Sequence, residues 1–226
     1  MKYIKPTISI LVFAAILSIT GYSYYKHQLA KAQQEISYMS DLLTRQEHLI
    51  ETEKQRKRAV RKVLNIINRY NSDMSDSTKQ DVANEIYLMS RKYENLNIDL
   101  IAATITHESA ATWEPTVTSR AGAMGLMQIM PATGAYLAYE EGMNWTFAED
   151  LLFDPLINIQ LGCRYLNELV GMYEEDGGLA AYNGGPRRAE MWIDGNKDYN
   201  ILWKETREYV PAVMRLYDRF KVQETL

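Results

Sequence analysis

Residues 7–25 form an apolar stretch that contains no charged side chain. At 1.5 Å per residue these nineteen positions nearly span a hydrocarbon core of about 30 Å, so the pattern predicts a membrane helix. Tyr22, Tyr24 and Tyr25 fit an interfacial aromatic belt at its end. Lys2 and Lys5 precede the run and Lys26, His27 and Lys31 follow it, so charge does not fix its orientation. The reading is an uncleaved anchor over residues 1–27. Its rival is a cleaved signal peptide, for which Ala14 and Ala15 lie too deep and Ser18-Ile19-Thr20 is a poor cleavage site.

Residues 28–70 hold neither proline nor glycine. Leu29, Ile36, Leu43, Ile50 and Leu64 recur at sevens, interrupted by Lys57. Ala32, Met39, Val60 and Ile67 lie three places later, with Gln46 and Glu53 as poor members. This imperfect heptad seam predicts a long helix, a stalk over residues 28–72. It could self-associate, meet a protein partner, pack its last turns on the next domain, or stand bare. Cap-forming residues at 71–77 end it, and a folded domain is expected over 73–226. There Val82, Ile86, Met89 and Tyr93 mark one helix face, and Asn97 starts a second helix through about Ala110. Pro131 and Pro155 open two more. Residues 171–178 end the second of these, and another helix runs from Leu179 through Tyr182. A last helix covers 203–220, kinked or broken at Pro211. Sustained period-two alternation is absent, so the fold class is all-α or mostly α.

Charge refines this picture. Residues 1–72 carry 12 Lys/Arg against 5 Asp/Glu, and residues 73–226 carry 13 against 24. An acidic main domain argues against nucleic acid as a partner. The basic run at 54–62 reads as a solvated helix face or as an attraction to an anionic surface. The lone Cys163 excludes an intrachain disulfide and reads as a buried thiol. His27, His48 and His107 sit in unrelated contexts, so neither a metal nor another cofactor is expected.

Among the polar residues of the domain, Glu108 stands out. It ends an apolar helix holding Leu100, Ile101, Ala103, Thr104 and Ile105, and shares a face with Thr104 and Ile101. Desolvation there would raise its pKa and keep it protonated near neutrality. A structural glutamate with a hydrogen-bond partner fits the same pattern. The small residues of 121–125 let a backbone or ligand come close, and Gln128 is the polar exception among Leu126, Met127, Ile129 and Met130, which read as core. Tyr182 and Asn183, just before Gly184-Gly185-Pro186, suggest a polar-aromatic wall suited to sugar rings. Glu205 and Tyr209 are i,i+4 neighbours that brace a site or pair with each other.

Glu108-Ser109, the run Ser119-Arg120-Ala121-Gly122-Ala123-Met124-Gly125-Leu126-Met127-Gln128-Ile129-Met130-Pro131, Phe153-Asp154-Pro155 with Asn158, Ala181-Tyr182-Asn183-Gly184-Gly185, and Glu205-Thr206 with Tyr209-Val210 together resemble the SLT-type lytic transglycosylases. The resemblance covers roughly residues 95–215. It implies a lysozyme-like helical domain with a groove for peptidoglycan glycan strands. It also implies that Glu108 acts as acid and then base in a non-hydrolytic cleavage between N-acetylmuramic acid and N-acetylglucosamine. Ser119, Gly125, Met127, Gln128, Tyr182, Asn183, Glu205 and Tyr209 would then contact substrate. Combined with the anchor, it implies a single-pass protein of the bacterial inner membrane with its domain on the outer, periplasmic side. A muramidase-type hydrolase, with Glu205 or Glu114 as second carboxylate, is the nearest rival. A non-catalytic peptidoglycan-binding scaffold is another. One departure is plain: members usually place a proline two or three residues after Glu-Ser, whereas six residues separate Glu108 from Pro115 here. The path of that loop and the register of Ser119 stay open.

Overall fold

The computed structural model describes residues 6–223; Lys2 and Lys5, which flank the expected anchor, lie outside them. Helix α1 (Pro6–Tyr70) begins with a segment long and apolar enough to cross a membrane, a test that signal sequences also pass. The chain divides into two compact units between Gln55 and Arg56. In the first unit Leu29, Ile36, Met39, Leu43 and Ile50 of the heptad seam are all exposed.

The second unit is the folded domain. It takes in the last turns of α1, where Val60, Val63, Ile66 and Ile67 are buried, so packing starts upstream of the break at 71–75. The basic run at 54–62 is correspondingly not a fully solvated face. Arg56 donates to Asn84 Oδ1 at 2.8 Å. Lys62 is buried and lies 2.6 Å from Asp99, with side chains only 9% and 11% exposed. Asp99 sits in the first turn of the next-but-one helix, where a negative charge is favoured by the helix dipole.

Ser75 caps α2 (Asp76–Lys92) through Thr78 N, and α2 turns Val82, Ile86 and Met89 inward as the apolar spacing predicts. Asn97 caps α3 (Ile98–Glu108) through the amides of Asp99 and Leu100, at 3.1 and 3.0 Å. All of residues 99–106 are buried, so α3 is the central helix. It packs chiefly on α8 (Lys204–Val222), which carries Pro211 inside a continuous helix. Between them come α4 (Pro131–Glu140), α5 (Ala148–Leu152), α6 (Pro155–Gly184), α7 (Pro186–Asp194) and a 3-10 turn at Tyr199–Ile201. Asp154 caps α6 through the amides of Leu156 and Ile157. Glu174, at φ 63°, breaks α6 inside the glycine-rich stretch where the sequence ends one helix and starts another. Described residues form no strand; two isolated bridges, Thr118 with Met124 and Met124 with Ile129, close the loop after α3. The short α5 and α7 are not foreseen by periodicity, since α7 buries only Ala189 and Trp192.

Removing one member of a buried ion pair strands the other charge, at a cost of about 3 kcal/mol or more. Lys62→Ala is therefore expected to lower the unfolding free energy of the domain by about that amount, and Lys62→Met combined with Asp99→Leu to recover most of it. Urea unfolding of the three proteins checks this. Equal stability of the single variant and the parent would show that the pair contributes nothing.

Candidate active site

Helix α3 stops at Glu108 because Ser109 leaves the helical region and the chain turns back on itself. Ala110, Ala111 and Trp113 all adopt positive φ (51°, 59° and 51°), a conformation that costs a residue with a Cβ roughly 1–2 kcal/mol. Burial of Trp113 offsets the strain. Its indole is fully buried, its Nε1 donates to Thr106 Oγ1 at 3.0 Å, its backbone amide donates to Ser109 Oγ at 3.1 Å, and its carbonyl accepts from Asn71 at 3.3 Å. The six-residue spacer is thus consumed in a loop plugged into the core beside α3, and Ser109 serves as its latch. Trp113 was not singled out from sequence; a tryptophan in a polar spacer just past a buried helix is the signal that was there.

The helix end leaves Glu108 half-buried. Desolvation pushes its carboxyl from 4.5 up to about 7, opposed by the Tyr209 hydroxyl and reinforced by the charge of Glu205. Tyr209 is itself buried, and its hydroxyl faces the Glu108 carboxyl as a hydrogen-bonding neighbour. Burial and the nearby Glu108 hold the phenols of Tyr209 and Tyr182 well above their usual range, so both keep their protons. His107, one position earlier, stacks edge-on against Tyr209 at 4.8 Å between ring centres, and burial lowers its pKa against the pull of Glu205. A carboxyl near pKa 7 with a phenolic donor beside it can give a proton and take one back at neutral pH.

The glycine-rich loop is held from below by Asn158. This fully buried side chain accepts from Met127 N at 2.8 Å and donates to the carbonyls of Met124 and Leu152, both at 2.9 Å. Gly125, at φ 79°, lies so close to Asn158 and the Leu152 carbonyl that no Cβ fits. Asn158 was quoted in sequence only as part of a motif. An amide amid the apolar stripe of Leu156, Ile159 and Cys163 is the clue to its role. Ser119 Oγ accepts from Ala123 N at 3.0 Å and shapes the same loop. Gln128 donates through its side-chain nitrogen to the carbonyls of Val117 and Gly125, at 3.2 and 2.9 Å, which leaves its oxygen as the group able to meet a ligand. The Met127 side chain is fully buried, with its sulfur 3.9 Å from Cys163, and its carbonyl accepts from Tyr182 at 2.8 Å.

The opposite wall comes from the end of α6 and the start of α8. Gly184 allows them to touch, since a Cβ there would lie 2.7 Å from Thr206 Oγ1. Thr206 donates to Asn183 Oδ1 at 2.7 Å, so the Asn183 oxygen is taken up within the protein and its amide nitrogen is the group left to meet a ligand. Glu205 is exposed in the first turn of α8 and acts on Glu108 and His107 through its charge. Glu114, the other carboxylate considered, is exposed and bonded to the Thr116 hydroxyl at 2.8 Å. The structure thus gathers Glu108, Tyr182, Glu205 and Tyr209 into one electrostatically coupled group, links Asn183 to it through Thr206, and puts Ser119, Gly125 and Gln128 in the braced loop. A hollow of about 370 Å³ lies on the His107 side, lined by Tyr70, Thr106, Ala110, Ala111 and Leu216, and none of the expected substrate contacts borders it. No group of His, Cys, Asp and Glu among the described residues is arranged to hold a metal ion.

Comparison with known proteins places the chain in a family. The transglycosylase SLT domain family matches residues 86–202, about half of the chain. A putative soluble lytic murein transglycosylase of Haemophilus influenzae is 36% identical over 131 residues, covering 54% of this chain and 22% of its own. Membrane-bound lytic murein transglycosylase D of Escherichia coli is 30% identical over 140 residues, covering 58% and 29%. The 1.65 Å crystal structure of the 70-kDa soluble lytic transglycosylase of Escherichia coli superimposes with a TM-score of 0.57 at 27% identity, over 71% of this chain and 26% of that one. The chain therefore spans between a fifth and a third of the length of these relatives.

The raised pKa of Glu108 has a stability signature. Unfolded, the carboxyl loses its proton near its ordinary 4.5; folded, it keeps it up to about 7. Between those values the native state binds more protons, so stability falls as pH rises, by up to roughly 3 kcal/mol once pH exceeds 7. Glu108→Gln, which carries no charge, is expected to match the parent at pH 4 and to unfold at higher urea at pH 8. The same difference at both pH values would show that the carboxyl is not desolvated.

Proposed function

Since the chain belongs to the transglycosylase SLT domain family, we propose that it is a lytic transglycosylase that cleaves peptidoglycan glycan strands without water, with Glu108 as both acid and base. The observation that carries this reading is a carboxyl near pKa 7 at the end of a buried helix, with the buried Tyr209 phenol facing it. Protonated Glu108 gives its proton to the oxygen joining N-acetylmuramic acid to N-acetylglucosamine, and the C1–O bond breaks. The muramoyl N-acetyl oxygen stabilises the positive charge that develops at C1. The Glu108 carboxylate then takes the proton of the C6 hydroxyl, whose oxygen closes on C1 to give a 1,6-anhydromuramoyl end. Glu108 is left protonated, ready for the next cycle. As the negative charge forms on Glu108, the Tyr209 hydroxyl is the donor positioned to stabilise it.

In this proposal the Gln128 oxygen and the Asn183 amide nitrogen hold sugar amides or hydroxyls, and Tyr182 and Tyr209 shape the ring site. The backbone around Gly125 and Met127, shaped by Ser119, lines the groove, and Glu205 flanks the reacting pair. The first part of α1 anchors the protein in the bacterial inner membrane with the domain on the periplasmic side, and the exposed seam of residues 29–50 is a surface for a second copy or another protein. Residues 1–27, 28–72 and 73–226 serve as anchor, stalk and catalytic domain, with the end of the stalk built into the domain. A second reading, hydrolysis, has one observation in its favour: Glu205 is a carboxylate whose charge acts on Glu108, as a water-activating partner would.

Digestion of purified peptidoglycan by the full chain, with mass analysis of the released fragments, decides between them. The expected disaccharide-peptides are lighter by one water than hydrolytic ones, and Glu108→Gln is expected to lose essentially all cleavage while still binding the polymer. Full-mass products would establish hydrolysis; undiminished cleavage by the variant would remove Glu108 from its role. Because the free enzyme must carry the proton, kcat/KM on soluble glycan strands should fall as pH rises through about 7. A profile flat to pH 9 contradicts a protonated Glu108.

A further inference from the structure

Trp203 sits at the N-cap of α8, two residues before Glu205, and is 58% exposed. The other tryptophans differ: Trp113 and Trp192 are fully buried, and Trp145 is half-buried against the core. One face of Trp203 is covered. The Arg188 guanidinium lies over the ring, 3.9 Å from its centre, and is itself pinned by a hydrogen bond of 2.9 Å from its Nη1 to the Ile201 carbonyl. Arg207 also donates to the Leu202 carbonyl, at 3.4 Å. The ring is thus a rigid shelf with one flat side open, held by the backbone that leads into α8.

The shelf is made from the elements that form the wall of the candidate site. Arg188 lies in the first turn of α7, just beyond Asn183 and Gly184, and Thr206, one turn after Trp203, is the residue that bonds Asn183. Along α8, Tyr209 lies six positions after Trp203, roughly 9 Å of helix rise, which is the scale of a disaccharide. A flat aromatic face suits the apolar C–H face of a pyranose, whose hydroxyls project from the ring edge into water. The arginine beneath leaves the π-face rigid and adds positive charge, which suits a polymer bearing carboxylates on its peptides.

We propose that the open face of Trp203, backed by Arg188, is a stacking platform for a sugar ring of the glycan strand, extending the groove beyond the bond that is cut. The proposal rests on the glycan reading of the site given above. It makes Trp203 a binding residue that sets affinity for long strands.

The test uses the full chain carrying Glu108→Gln, purified in detergent, with two probes: insoluble peptidoglycan for co-sedimentation and soluble glycan strands stripped of peptides for tryptophan fluorescence. Adding Trp203→Ala is expected to weaken sedimentation about three- to tenfold, and Trp203→Phe to restore most of it. Soluble strands should alter the emission of the Glu108→Gln chain but not of the chain that also carries Trp203→Phe. Because the indole is exposed, neither change disturbs the core, and unchanged far-ultraviolet dichroism verifies that. Equal sedimentation of all three proteins overturns the platform and leaves the function reading intact. Failure of the Glu108→Gln chain to sediment at all overturns both. A Trp203 emission that is already that of a buried indole in the micelle, and unmoved by glycan, assigns the ring to the membrane surface and overturns the platform.

Discussion

Residues 99–106 of α3 are buried on every side, so each neighbouring element has to supply an apolar face or a matched polar group. The last turns of α1 supply Val60, Val63 and Ile67 and the cation that answers Asp99. Helix α8 supplies Tyr209, Val210, Val213 and Phe220. A helix enclosed this way emerges from the core only at its ends. Whatever side chain terminates it stands where protein gives way to solvent, with little water to stabilise a charge. The position of Glu108 and its raised pKa are two results of one packing arrangement.

The same enclosure explains why the loop of residues 117–130 is rigid without being part of a sheet. Its backbone makes only isolated bridges, and Asn158 supplies the missing pairings from within α6. Gly125 is small because Asn158 must reach those atoms, and Gly162 is small because Met127 packs there. Much of what looks like a ligand-binding signature in this stretch is a device for holding backbone in place.

Helix α3 was legible in the sequence because Asn97 and an unbroken apolar run mark it, and the caps at Ser75 and Asp154 fall where their residue types predict. Glu108 was legible as an acid in an apolar context, and the comparisons agree with the family that the motifs suggested. The burial of Lys62 was not legible, because a cation inside a basic run looks solvated until its partner, 37 positions away, is brought beside it. The spacer after Ser109 was not legible either, since three left-handed residues without glycine give no local signal and only the burial of Trp113 makes them tenable. Short α7 was hidden because two buried residues cannot establish a period. In each case the missing information was long-range contact.

Helix α1 is fastened to both ends of the helix that carries Glu108. Lys62 meets Asp99 at the start of α3, and Asn71, just past the end of α1, holds the carbonyl of Trp113, whose ring is locked to Thr106 near the other end. These are polar attachments, short in range and stiff, and they sit about two and a half helical turns apart along α1. A mechanical load carried by α1 would therefore be passed to α3 as shear, after the upstream contact of Arg56 with Asn84 on α2. Were the proposed tether and glycan grip both engaged, tension along α1 would pull on both ends of the helix that positions Glu108.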